Sequence, residues 1–191
     1  KNVLRRKHMN QTKLEKLVKR AMRRNENALL ELLSYYQEYL YRTAYMYYQN
    51  EQESLDAVSE CVAKIYINIP KLKEPAYFKT WMTKILLNEV FGKVKQYKTS
   101  LSLDELKEQG YEAELLETSI SNEEKMDLYH AMELLSPDAK KVLILKYFQD
   151  WSIRDIAQIL DVSEENVKVM LYRARKQLRK IYKEELGYEE L

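Results

Sequence analysis

The sequence predicts an all-α chain of two small helical domains joined by a flexible acidic linker, and three observations predict it. Three Gly and three Pro in 191 residues are too few for a turn-rich β fold. Apolar residues recur at helical spacing through most of the chain. That pattern lapses between Thr99 and Asn122, where Asp104, Glu105, Glu108, Glu112, Glu114 and Glu117 stand against Lys107 alone. The expected organisation is an extension at residues 1–9, a first domain at 10–98, the linker at 99–122, a second domain at 123–183 and a tail at 184–191. Met9 reads as a natural start. A hydrophobic content of 46% is enough for a buried core. The single Cys61 allows no internal disulfide, which fits a reducing cytoplasm. No apolar run approaches the eighteen residues of a membrane span, and Lys1–His8 is basic without the apolar core of a signal peptide.

In the first domain, Leu14, Leu17, Val18 and Ala21 mark a short amphipathic helix ending near Asn25. A long helix from Glu26 to Tyr48 buries Leu29, Leu32, Leu33, Tyr36, Leu40, Thr43, Ala44 and Tyr47, with most tyrosines in the core or at its rim. A third, Glu53 to Ile67, is expected to pack through Leu55, Val58, Val62 and Ile65, leaving Glu53, Asp56, Glu60 and Lys64 on another face. Pro70 and Pro75 bracket a loop, and Pro75 suits the first turn of a fourth helix. That helix points Phe78, Trp81, Met82, Ile85, Leu86 and Val90 inward and Lys79, Lys84, Asn88, Lys93, Lys95 and Lys98 outward. In the second domain one helix covers Glu123 to Leu135. Ser136-Pro137-Asp138 opens the next, which carries Val142, Leu143, Leu145, Lys146 and Phe148.

From Trp151 to Lys183 the chain reads as a helix-turn-helix. Ser152 caps a helix through Ile153, Ile156, Ala157 and Leu160, Asp161-Val162-Ser163 is the turn, and Ser163 caps the second helix. Glu164 and Glu165 stand at the positive end of that helix dipole. At 100° per residue Val167, Leu171, Ala174, Leu178 and Ile181 form one inward stripe. Seven Lys or Arg between Ser163 and Lys183 face only those two Glu, although the whole chain carries a net charge of only +2. A basic face on a lone helix is as readily a solvated face. Here it lies opposite the packing stripe and follows a helix and turn of helix-turn-helix length, which points to duplex DNA. Arg and Lys would neutralise phosphates while residues near the helix start specify sequence.

Together these pieces resemble the sigma-70 family of RNA polymerase sigma factors, in its extracytoplasmic-function group, which retains only regions 2 and 4. Region 2 is carried by Asp56-Ala57-Val58-Ser59-Glu60 and by Tyr77 to Asn88, which looks like the family's Phe-x-x-Trp-(Leu/Met)-x-x-Ile-x-x-Asn signature. Region 4 is carried by Leu135-Ser136-Pro137, by Ile153 to Ala157 and by Val167 to Leu178. The resemblance implies that Asp56, Ser59 and Glu60 bind the β′ clamp helices of core RNA polymerase, with the β flap as a second polymerase contact. It implies capture of an extruded minus-10 base by the loop between the third and fourth helices, with Asn68, Lys71, Lys73, Tyr77, Phe78, Lys84 and Asn88 as candidates. Extrusion costs a few kcal/mol, and stacking returns roughly 1 to 3 kcal/mol per base. It implies minus-35 reading by Glu165, Asn166, Lys168, Val169, Tyr172, Arg173 and Lys176. Ser59 stands where the family commonly has Gln, Met170 where relatives often have Arg and Asn166 where Thr is frequent, so a relative's promoter sequence does not transfer.

The implied function is an alternative sigma factor, cytoplasmic and bacterial, directing promoter-specific initiation with core polymerase, promoter DNA and an anti-sigma factor as partners. The linker would thread the polymerase's nucleic-acid channels. No cofactor, metal or catalytic residue is expected: His8 and His130 are isolated, Cys61 reads as a small core residue, and there is no Gly-rich phosphate loop. The alternative is a helix-turn-helix regulator that acts without replacing the housekeeping sigma factor. A helical nucleic-acid-processing enzyme is a remote third.

Overall fold

The computed structural model describes residues 9–100 and 122–184, with side chains described at 9–92 and 126–184. Among the described residues it contains helices and no strand. The first domain comprises α1 (Gln11–Met22), α2 (Glu26–Tyr48), α3 (Glu51–Asn68) and α4 (Phe78–Ser100), with short 3-10 turns at Ile69–Lys71 and Pro75–Tyr77. Asparagines start the first three helices. Asn10, Asn25 and Asn50 accept from the backbone N–H of Lys13, Ala28 and Glu53 at 2.8, 2.9 and 3.0 Å, satisfying donors that a helix start otherwise leaves free. The second domain comprises α5 (Asn122–Leu134), α6 (Pro137–Leu143), a π-helical turn at Ile144–Phe148, α7 (Ile153–Leu160) and α8 (Glu164–Glu184). The acidic linker and the terminal segments lie, almost entirely, outside the described residues.

Helix α2 buries Leu29, Leu32, Tyr36, Leu40, Thr43, Ala44 and Tyr47 as expected. Helix α3 corrects the expected register. Leu55 is 44% exposed, and Ser54, Ala57, Cys61 and Ile65 face inward, with Val58 and Val62 half-buried beside them. Small side chains let α3 approach α2 and α4 closely, and Ser54 satisfies its hydroxyl on the carbonyl of Asn50. Cys61 is a core residue whose thiol burial pushes up to about 12. In α4 the inward set is Phe78, Met82, Thr83, Leu86, Leu87 and Val90, while Trp81 and Ile85 are half-buried.

The two domains pack against each other, which the expected separation by a flexible linker did not foresee. Helix α7 lies against α4. Trp151, just before α7, is buried and its indole N–H donates to the Tyr39 hydroxyl on α2 at 3.2 Å. At the far end the Lys140 ammonium donates at 2.8 Å to the carbonyl of Tyr47, one of the last carbonyls of α2. The Tyr47 hydroxyl donates to the Lys141 carbonyl at 3.3 Å, and the Lys141 ammonium sits 3.9 Å from the centre of the Phe91 ring. Gln49, left-handed at the end of α2, donates its side-chain amide to the Tyr129 carbonyl of α5 at 3.1 Å.

Candidate nucleic-acid interface

The helix-turn-helix is built by local chemistry. Ser152 accepts from the Asp155 N–H at 3.1 Å, which starts α7. Asp161 ends it in the left-handed region at φ 60°, a conformation Asp tolerates better than most side chains. The Ser163 hydroxyl accepts from the Asn166 N–H at 3.2 Å, which starts α8. Val167, Leu171, Ala174 and Ile181 are buried and Leu178 is half-buried, so α8 packs on the predicted stripe. Gln177, which accepts from the Ser136 hydroxyl at 3.0 Å, further fixes α8 against the start of α6.

That packing leaves the opposite face to solvent. Glu165, Asn166, Lys168, Val169, Tyr172, Arg173 and Lys176 are all exposed, Tyr172 at 64%. All seven basic side chains of α8 are exposed, but they are not equivalent. Arg175 donates to the Tyr147 hydroxyl at 3.4 Å and Lys180 pairs with Glu184 at 3.6 Å. Arg173 and Lys176 make no ion pair with a described residue. The N-terminal half of α8 thus presents short polar and apolar tips beside free cations, the combination a major-groove reader requires.

The minus-10 candidates divide. Lys71, Lys73, Tyr77 and Asn88 are exposed. Asn68 is half-buried, donates to the Lys64 carbonyl at 3.0 Å and accepts from the Lys71 ammonium at 3.1 Å, so the pair shapes the loop. Phe78 is corrected: it is 1% exposed, with its ring against Tyr36 and Trp81, and offers no face to a base. Tyr77, 46% exposed, is the aromatic left on that surface for stacking. Lys84 is engaged, 3.8 Å from Asp161 in the helix-turn-helix turn.

Three residues of this region lie outside the predicted sites. Lys79, expected to face solvent, sits 4.4 Å from the Trp151 ring centre and 4.9 Å from that of Tyr39. Burial pulls its ammonium below the usual lysine range, and the carboxylates of Asp155 and Asp150 oppose that. Tyr39 shares a 2.7 Å hydrogen bond with Thr83, and burial raises its phenol. No local pattern marks Trp151 and Tyr39 as partners, since 112 residues separate them.

On α3, Asp56, Ser59 and Glu60 are exposed along one edge beside Leu55. The Ser59 hydroxyl donates to the Leu55 carbonyl of its own helix at 2.8 Å, whereas Asp56 accepts from Gln52 at 3.0 Å. Both domains therefore have an exposed surface of defined chemistry, one acidic and apolar, the other basic. Among the described residues no group of three or more His, Cys, Asp or Glu is arranged to hold a metal, and no helix is long and apolar enough to cross a membrane.

Comparison with known proteins matches residues 32–98 to the family described as sigma-70 region 2 and residues 125–178 to that described as sigma-70, region 4. The RNA polymerase sigma factor SigV of Bacillus subtilis (strain 168) is 28% identical over 164 residues, 83% of this chain and 94% of that protein. The ECF RNA polymerase sigma factor SigW of the same organism is 25% identical over 179 residues, 87% and 95% of the two chains. Among solved structures, CnrH in complex with the cytosolic domain of CnrY superposes with a TM-score of 0.66 at 16% identity, covering 90% of this chain and 98% of that one. The sigma factor RpoE with the anti-sigma factor NepR from Bartonella quintana gives 0.62 at 19%, covering 81% and 96%. These two likenesses show the fold.

Proposed function

Because the chain belongs to the sigma-70 family of RNA polymerase sigma factors, in its extracytoplasmic-function group, and is an alternative sigma factor directing promoter-specific transcription, we propose how its surfaces divide that work. The edge of α3 with Asp56, Ser59 and Glu60 docks on the β′ clamp helices of core polymerase, and the β flap receives the second domain. The loop between α3 and α4, with Lys71, Lys73, Tyr77 and the nearby Lys84 and Asn88, holds the opened minus-10 strand, Asn68 keeping the loop in shape. The face of α8 from Glu165 to Lys176 reads the minus-35 duplex. Phosphoryl transfer belongs to the polymerase, and this chain contributes recognition only. It works in the cytoplasm.

The observation that carries this reading is the α8 face, whose sequence-reading positions are all exposed while the stripe behind them is buried. An anti-sigma factor is a further partner, supported by the two structural neighbours, one solved with a named anti-sigma factor. The test is transcription of a genomic fragment library by sigma-free core polymerase plus this protein, with transcript 5′ ends sequenced. Starts that share two upstream elements are expected. No starts from a protein that still binds duplex DNA would instead favour a regulator that acts without replacing the housekeeping sigma factor.

A further inference from the structure

We propose that the outward face of α1 is a second DNA contact of the first domain: its lysines and arginines hold the sugar–phosphate backbone of the strand next to the minus-10 loop and read no base. The inference rests on the division of surfaces just proposed, which gives α1 no role. Between Gln11 and Arg24 six Lys or Arg stand against Glu15 alone, a net +5 in a chain whose total is +2. At 100° per residue Lys13, Lys16, Lys19, Arg20 and Arg23 fall within an arc of about 120°, and no carboxylate of the helix lies inside it. All five are exposed, while Leu17, Val18 and Ala21 on the other side are buried. A basic face that served only solubility would mix its signs. Cations elsewhere in the chain do find carboxylates along their own helix, Arg42 with Glu38, Lys141 with Asp138 and Lys180 with Glu184. The five on α1 make no ion pair with a described residue.

The fold puts that face beside the minus-10 loop. Helix α1 packs on α2 and touches both 3-10 turns that bound the loop. Its N-terminal end, at Gln11 and Leu14, shares a cleft with Pro75 and Tyr77, and its C-terminal end, at Ala21 and Arg24, shares a smaller one with Tyr66 and Ile69. The helix therefore runs the length of the loop, a span of roughly 18 Å at 1.5 Å per residue. Arg24 pins the far end: left-handed at φ 65°, it donates from its guanidinium to the Tyr66 carbonyl at 3.2 Å, with the Tyr66 ring centre 6.0 Å away. The exposed Lys71, Lys73 and Tyr77 of the loop and the five cations of α1 thus belong to neighbouring parts of one surface. Their chemistries differ. The loop offers an aromatic ring beside its lysines, whereas the α1 arc holds ammonium and guanidinium groups only, which neutralise phosphates without carrying sequence information. The apolar side of α1 is buried in the core and is not available to a lipid surface, so the polyanion this face fits is the strand already held at the loop.

The test uses holoenzyme, formed from the full chain and sigma-free core polymerase, with a fluorescent single strand carrying the minus-10 sequence mapped from transcript starts and a scrambled strand of the same length. Single-strand affinity falls with salt at a log–log slope of about 0.7 for each phosphate neutralised. The variant combines Lys13→Ala, Lys16→Ala, Arg20→Ala and Arg23→Ala, all at exposed positions where Ala favours helix. If two to four of these cations sit on phosphates, raising salt from about 50 to about 200 mM should weaken wild-type binding about seven- to fifty-fold more than it weakens the variant's. The difference should be the same on both strands, so that the preference for mapped over scrambled sequence is unchanged, whereas Tyr77→Ala should lower that preference. Lys13→Arg, Lys16→Arg, Arg20→Lys and Arg23→Lys together keep the charge and should keep the wild-type slope. Minus-35 duplex binding by the full chain should have one salt slope in wild type and variants, which shows that the fold is intact and the loss confined to the first domain.

Equal salt slopes for wild type and the alanine variant on both strands overturn the contact, and binding of wild type but not the variant to phosphatidylglycerol vesicles would in that case assign the face to an anionic membrane surface. A loss of slope shared with the minus-35 duplex makes α1 a general polyanion surface and overturns its place beside the minus-10 loop. If the slopes differ as expected while wild type binds mapped and scrambled strands alike, the α1 contact holds and minus-10 reading by the loop fails instead.

Discussion

Replacing Lys140 by Met should flatten the pH dependence of stability above neutrality, and the size of the effect follows from where the ammonium sits. Lys140 is on α6 with its Nζ 2.8 Å from the Tyr47 carbonyl at the end of α2. Burial lowers its pKa from 10.5 to about 8, and the nearby carboxylate of Glu133 opposes that only in part. Below pH 8 the lysine is charged in both folded and unfolded chains, and the folded state bears the full cost of burying the charge. Between pH 8 and 10.5 the unfolded chain holds more protons, so stability must rise with pH. At 1.36 kcal/mol per unit the span has a ceiling of about 3 kcal/mol, and the hydrogen bond and residual solvent contact reduce it to roughly 1 to 3 kcal/mol. Methionine has similar length and no charge, so the variant lacks this rise. The assay is urea unfolding of both proteins at closely spaced pH values from neutrality to 10.5, reading the difference between them so that the other lysines and tyrosines cancel. Parallel curves would refute the burial of a charged Lys140 between the domains.

Three further outcomes are expected. Arg173→Ala should weaken minus-35 duplex binding by about 1 to 3 kcal/mol if the guanidinium spans two acceptors of one base, and should relax preference at that position; anisotropy titrations at two salt concentrations check it, and a uniform loss over all sequences with a shallower salt slope would place Arg173 on a phosphate. Lys84→Ala should impair promoter opening more than minus-35 binding, read by permanganate reactivity of unpaired thymines in the polymerase complex, and equal opening by both proteins would remove Lys84 from that role. Ser152→Ala removes the side chain that accepts from the Asp155 N–H and should cost about 1 kcal/mol, seen as a lower urea midpoint; an unchanged midpoint would count against the cap.

The helix-turn-helix was legible because everything that defines it is local. Ser152, Ser163 and the 3.6-residue recurrence from Val167 to Ile181 act within a few residues of one another, and the structure places each where the pattern predicts. The register of α3 was not, because hydrophobicity reports size poorly. Its inward face is Ser54, Ala57 and Cys61, chosen by the close approach of neighbouring helices, while the larger Leu55 is left 44% exposed. Phe78 posed a different difficulty: an aromatic at a loop's end serves base stacking and core packing equally well until its neighbours Tyr36 and Trp81 are known. The contact between the domains lay furthest from view. Trp151 with Tyr39 and Lys140 with Tyr47 join positions 112 and 93 residues apart, and no window of sequence contains both partners.

The contact between the domains combines ion pairing and hydrogen bonding with apolar burial, since the buried hydrophobic residues of both domains belong to one cluster. The Lys84–Asp161 pair, with side chains 40% and 89% exposed, is worth little in water. The Lys79–Trp151 contact is better shielded and worth roughly 0.5 to 2 kcal/mol. The buried apolar residues of that cluster add to both, since their area would return to water if the domains parted. Added salt weakens the Lys84–Asp161 pair. The hydrogen bond of buried Trp151 to Tyr39 is not screened in this way, so salt leaves the tryptophan as the firmer polar tie between the domains.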